Sequence, residues 1–197
     1  MVEGDTASPS DSSSPVTTRR VVVGQRTDGT PYVVSDGESM RSHDFLAIPG
    51  MSESVLWSTR VGDRRDDSRD HALRVRRRLP HPGDSVFLTV TFPPDSVFTS
   101  DQFDARRAAA EQSLISPDLA DCMEPEGQGM HATPTTDLVV VLEGEVWLDL
   151  GEGEPVHLYP GDTVVQLAVR HAWRNPTTKS ATLAVVMVGI DQGGTGQ

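Results

Sequence analysis

A series of short runs rich in Val, Thr and aromatic residues, each closed by Gly, Pro or Asp, most limits the folds open to this chain. They begin with RRVVVGQ and, after the turn RTDGTP, YVVS; this pair has the strand–turn–strand composition of a hairpin. SVLWSTRV (54–61), SVFLTVTF (85–92), DLVVVLEGEVWLDL (137–150), PVHLY, DTVVQL and ATLAVVMVG follow. Segments this short, with turn residues between them, suit an antiparallel sandwich or barrel. The expectation is an all-β fold with one helix. That helix is DARRAAAEQSLI (104–115), with Asp104 at the N-cap, a run of alanines, and Pro117 just past the end.

Two further segments lie outside the β pattern. Residues 1–18 are rich in Ser, Thr, Pro and Asp with almost nothing to bury, so they are expected to be a disordered tail. The segment 62–84 is dense in both charges and reads as a long solvated loop. Its arginines, Arg74, Arg76, Arg77 and Arg78, offer a cationic run to an anionic partner, but a plain exposed loop is the expectation. The division that follows is a tail over 1–18, strands, charged loop and helix over 19–125 packing on a barrel, and the barrel core over 126–192.

With 197 residues, one domain with a real core is expected. The net charge of −12 repels phosphate backbones and anionic membrane surfaces, so nucleic acid and membrane are excluded as expected partners. A single cysteine, Cys122, allows no intrachain disulfide and no thiolate metal cluster. No apolar run reaches the roughly 18 residues that span a bilayer. The first residues lack the basic start and apolar middle of a signal peptide, and a cytoplasmic protein is expected.

Strand parity picks out the chemistry. If residues 129–141 are extended, His131, Thr133, Asp137, Val139 and Val141 share one face, and Leu138, Val140 and Leu142 the other. Asp137 on a Val-lined strand would be costly to bury alone, so a partner is expected: a metal, a histidine or a substrate proton. LYPGDTVVQLAVRHAWRN then brings a turn at 160–162, a β run, and His171, Trp173 and Asn175.

From about residue 127 to 189 these features resemble the cupins, small antiparallel jelly-roll barrels. The family motifs are G-x5-H-x-H-x3,4-E-x6-G and G-x5-P-x-G-x2-H-x3-N. On this sequence the first histidine falls on His131, the closing glycine of motif one on Gly144, and the histidine and asparagine of motif two on His171 and Asn175. Thr133 stands at the second histidine position, Asp137 at the glutamate, and Pro125 at the opening glycine. Gln166 and Ala168 stand at the proline and inner glycine of motif two, whose spacing from turn to histidine is one residue short. The upstream runs and H-x-T-x3-D look like a subgroup of bacterial and fungal single-barrel cupins, some associated with secondary metabolism.

The resemblance implies a single jelly-roll barrel with an N-terminal strand extension. It also implies a divalent transition metal (Fe, Zn, Mn or Ni) on His131, Asp137 and His171, a two-histidine, one-carboxylate set with open positions. Asp137 and His171 are the expected catalytic groups; Thr133, Gln166 and Trp173 are expected to contact substrate. Trp147 and Trp173 are read mainly as packing residues and Asn175 as a turn or ladder hydrogen bonder. His43, His71, His81 and His157 match no motif position and are expected at the surface or in loops.

The function expected is a small-molecule enzyme of lyase type, performing decarboxylation, dehydration or isomerisation on an oxygenated, polyketide-like secondary metabolite. The alternatives are an Fe(II)-dependent oxygenase at the same site and a metal-free, ligand-binding cupin. A transcription factor lacks its helix-turn-helix, and a sugar-nucleotide epimerase lacks a basic pocket outside the charged loop. That loop and the helix are expected to form a lid, and the chain to form a homodimer.

Overall fold

The computed structural model describes residues 18–64, 69–125 and 128–191; the tail expected over 1–18 lies, but for Thr18, outside them. The chain is all-β. Its strands are β1 (Arg19–Gln25), β2 (Pro31–Glu38), β3 (Ser42–Asp44), β4 (Ser52–Thr59), β5 (Ser85–Phe92), β6 (Thr135–Glu143), β7 (Val146–Asp149), β8 (Val156–Leu158), β9 (Thr163–Leu167), β10 (Ala172–Arg174) and β11 (Ala181–Gly189). Between β5 and β6 lie helix α1 (Ala105–Ile115) and the single turn α2 (Pro117–Ala120). The Asp104 carboxylate accepts from the backbone N–H of Arg106 and Arg107, the cap expected for α1. Pro117, instead of only ending α1, opens α2, where its missing N–H costs nothing.

The strands form a six-stranded sheet in the order β3-β4-β5-β11-β6-β9, a three-stranded sheet in the order β10-β7-β8, and the separate hairpin β1-β2, every pair antiparallel. From β6 onward the chain crosses repeatedly between the two larger sheets, the winding of a jelly roll. Val139, Val141, Ala181 and Leu183 of one sheet meet Val146, Leu148 and Leu158 of the other in one buried cluster. The runs Ser85–Phe92 and Ala181–Gly189 are strands over the bounds their composition gives, and 137–150 divides into β6 and β7 at Gly144. Gly144 has φ of +71°, and a Cβ there would stand 2.5 Å from the Ser180 carbonyl oxygen, so only glycine turns this corner.

The segment 62–84 departs from the loop expected. Residues 65–68 lie outside the description, but His71–Arg74 form a 3-10 turn capped by Asp70. Ala72 and Val75 are buried against Val55, Val86, Leu88 and Met187. Arg78 is likewise buried, its guanidinium 2.5 Å from Glu53 and its backbone N–H donating to Asp118. The charges are largely paired: Arg74 with Asp63, Arg77 with Asp118, Arg20 with Asp70. Pairing lets a few apolar residues spread among charges dock on a sheet, so the segment is a structural cover and Arg78 no free cation. His71, expected at the surface or in a loop, lies in this segment but is buried with it, stacked on Trp57 at 4.7 Å.

Helix α1 is pinned on its own cluster: Ala108 packs with Phe45 and Ile48. Glu111 accepts from the N–H of Leu46 and Ala47 and pairs with His43. These contacts tie α1 to the 45–51 loop and include none of the expected site residues.

Candidate functional site

The site is built on one backbone bridge. His131, in the segment leading to β6, donates its N–H to the His171 carbonyl at 3.0 Å, and His171 returns the bond at 2.9 Å. A reciprocally bonded antiparallel pair sends its two side chains to the same side. The two imidazoles therefore emerge together, with ring centroids 4.4 Å apart.

Their tautomers follow from their partners. His131 Nδ1 lies 2.8 Å from the Gly129 carbonyl and His171 Nδ1 lies 2.9 Å from the Val169 carbonyl. A carbonyl only accepts, so each Nδ1 carries the proton and each Nε2 keeps its lone pair. Burial, then the neighbouring His171 ring, holds His131 below the usual imidazole range, against the opposing pull of the Gly129 carbonyl and Asp137. Burial also lowers His171. Two neutral imidazoles thus present a pair of free lone pairs.

Alternation along β6 turns Thr135, Asp137, Val139 and Val141 inward and leaves Leu138, Val140 and Leu142 exposed, the parity expected from sequence. Asp137 is only 5 % exposed and its Oδ1 has no hydrogen-bond partner. Burial raises its carboxyl above the ordinary range, while the Thr135 hydroxyl and His131 oppose the shift. Directly across the β6–β9 ladder stands Gln166, also buried, whose Nε2 is likewise without a partner. A buried carboxylate oxygen and a buried amide N–H both left unpaired are expensive, and native folds keep such groups mainly where a ligand completes them.

Thr133 is buried, and its hydroxyl lies 2.7 Å from that of Thr135. Thr135 links Thr133 to Asp137; sequence reading passes over it, although the same parity places it on the inward face. Trp173 stands edge-on to His171 at 6.0 Å and packs on the main cluster. Trp147 is on the outer side of β7, stacked on His157 at 3.7 Å, and takes no part in the site. Asn175 donates to the carbonyls of Phe92 and Lys179 and accepts from Thr177, so it is a turn residue. Ala168, at the family's inner glycine position, has φ of +53° and donates its N–H to the Thr135 carbonyl, which fixes the approach to His171.

Among the described residues no group of three or more His, Cys, Asp or Glu side chains is disposed to hold a metal ion as it stands. The donor chemistry suits one nonetheless: two backbone-oriented imidazoles have free Nε2 atoms, and an orphaned carboxylate oxygen lies on the same inward face. No helix among the described residues is long and apolar enough to cross a membrane.

No protein-family model matches the chain. It is 45 % identical over 61 residues to oryzines biosynthesis cluster protein J of Aspergillus oryzae, a match covering 31 % of this chain and 34 % of that protein. It is 44 % identical over 54 residues to phomopsin biosynthesis cluster protein C' of Diaporthe leptostromiformis, covering 27 % and 29 %. The matches thus span about a third of the length of these curated relatives. Among solved structures, it is similar to the Cupin 2 domain of an XRE family transcriptional regulator from Enterobacter cloacae, with 15 % identity and a TM-score of 0.32 over 54 % of this chain and 83 % of that one.

Proposed function

We propose that the chain is a small-molecule enzyme of secondary metabolism, carrying out proton-transfer chemistry of lyase or isomerase type inside the barrel. The observation that carries the reading is the cluster of unclaimed polar atoms on one inward face. It comprises the Nε2 atoms of His131 and His171, Asp137 Oδ1 and Gln166 Nε2. The partial likeness to biosynthesis cluster proteins of two fungi supports the metabolic setting.

In this reading a divalent transition metal would be held by Nε2 of His131 and His171. When bound, such an ion supplies Lewis-acid polarisation of a substrate oxygen. Asp137, with its carboxyl raised by burial, stands as the group that gives or takes a proton at carbon or oxygen. Gln166 Nε2 donates to a substrate oxygen, and the wall from Trp173 limits the space beside His171. Thr135 and Thr133 hold the carboxyl in place through linked hydroxyls.

Elemental analysis of protein purified without added metal tests this reading. About one equivalent of a transition ion per chain, lost in His131→Ala and in His171→Ala, is expected. Less than about a tenth of an equivalent, with no uptake on dialysis against Fe(II), Zn(II), Mn(II) or Ni(II), would contradict the metal role. A second reading then follows, since the described residues offer no ready three-ligand cluster: the same inward polar atoms would bind a ligand without an ion.

A further inference from the structure

Arg41 and the stretch from Val75 to Arg78 bring three guanidiniums together on one side of the barrel. Arg41 follows β2, and its carbonyl accepts from the Val55 N–H at 3.0 Å, which sets it beside β4. Its Nη2 donates to the Val75 carbonyl at 2.9 Å, so its side chain lies against the charged cover segment. Arg76, the next residue, is exposed, whereas Arg78 is only 2 % exposed. Arg78 gives both Nε and Nη2 to one oxygen of Glu53 on β4. Nε and Nη2 share one edge of a guanidinium, so Nη1 points off another side.

Charge and hydrogen bonding are both left incomplete there. Nη1 of Arg78 and Nε of Arg41 are buried without a hydrogen-bond partner. Glu53 balances one of the three cations, and Asp118 is already claimed by Arg77 and by the backbone N–H groups of Arg78 and Leu79. Among the described residues, neither Arg41 nor Arg76 has an acidic partner. Two positive charges thus stand uncompensated in a chain where acidic side chains outnumber Lys and Arg by 29 to 17. Burial, then the charges of Arg78 and Arg76, holds Arg41 below the usual guanidinium range, with Glu53 opposing. Buried donors left unpaired are costly, and native folds keep them mainly where a ligand completes them.

We propose that this cluster binds a doubly charged oxyanion, a phosphate or the phosphate group of an ester, through Arg41, Arg76 and the free Nη1 of Arg78. Guanidinium forks match the oxygens of such a group two at a time, and its charge of about −2 answers the two uncompensated cations where a single carboxylate would answer one. Arg41 is half-buried and Arg76 exposed, so these two form the rim and Arg78 the floor. The bound anion joins the loop after β2 to the segment whose Ala72 and Val75 pack on Val55, Val86, Leu88 and Met187, and so stabilises that cover. The cluster shares no residue with the His131–His171 site and stands whether or not that site holds a metal.

Calorimetric titration of the full, chelator-treated chain with inorganic phosphate at fixed ionic strength tests the proposal, with phenyl phosphate and acetate as companion probes. One phosphate per chain is expected, with a dissociation constant of about 1 mM or tighter and a raised melting temperature; acetate should bind at least about tenfold more weakly. Phenyl phosphate binding tighter than phosphate supports the site as the seat of a larger molecule's anionic group; equal or weaker binding supports it as a seat for the free ion. Arg76→Gln should weaken phosphate about tenfold and Arg41→Gln about a hundredfold, while Arg106→Gln, exposed on α1, leaves it within about twofold. Arg41→Gln also removes the bond to Val75, so the exposed Arg76→Gln decides the matter should that variant unfold. No saturable phosphate binding, phosphate no tighter than acetate, or an affinity unchanged in Arg76→Gln would overturn it.

Discussion

Asp137 and Gln166 illustrate what a single residue contributes here. Each is buried, each faces the other across one rung of the β6–β9 ladder, and each has an atom with no partner. A buried, unpaired carboxyl costs stability, and such a cost persists mainly where function needs the group. Asp137→Asn is therefore expected to leave the melting temperature of the chelator-treated protein unchanged or raised, while abolishing the proton-transfer step. A fall in stability of about 2 kcal/mol or more, measured by urea unfolding, would mark Asp137 as structural instead. Strand parity alone makes Asp137, Thr133 and His131 legible as one face. Thr135 obeys the same rule but does not stand out, because a hydroxyl carries no signal of its own. The pairing of His131 with His171 is suggested only through the motif resemblance, since bridge register between distant segments is absent from composition.

At the scale of elements, the strands are legible because each run ends in a residue that cannot continue it, and Gly144 marks the β6–β7 corner. The short β3 and β10 are not, having too few residues to show a period. The 62–84 segment misleads because composition records charges but not their pairing; the ion pairs of Arg74 and Arg78 let Ala72 and Val75 reach the core. Ala168 is the converse case, a residue in a backbone conformation that suits glycine. Ala168→Gly is expected to stabilise the fold by about 1 kcal/mol, as an unfolding titration reads it. Gly144→Ala should destabilise by more than that, since its Cβ meets the Ser180 carbonyl and the Ala181 backbone. Loss of stability in Ala168→Gly, or none in Gly144→Ala, would contradict the backbone roles given to them.

For the whole molecule, an all-β barrel is legible in the sequence, and so are the two segments from which the candidate site is drawn. The barrel contributes a water-poor interior in which both imidazoles stay neutral and hold their Nε2 lone pairs inward. That arrangement is directly measurable by long-range nitrogen–proton correlation of the imidazoles, assigned with His131→Ala and His171→Ala. Both rings should be neutral Nδ1–H tautomers at pH 7 and remain so as the pH falls into the range where free histidine protonates, because both are shifted downward. Addition of Zn(II) should move the Nε2 resonances of both together. Imidazolium rings at pH 7, Nε2–H tautomers, or Nε2 resonances unmoved by Zn(II) would contradict a site built on this pair.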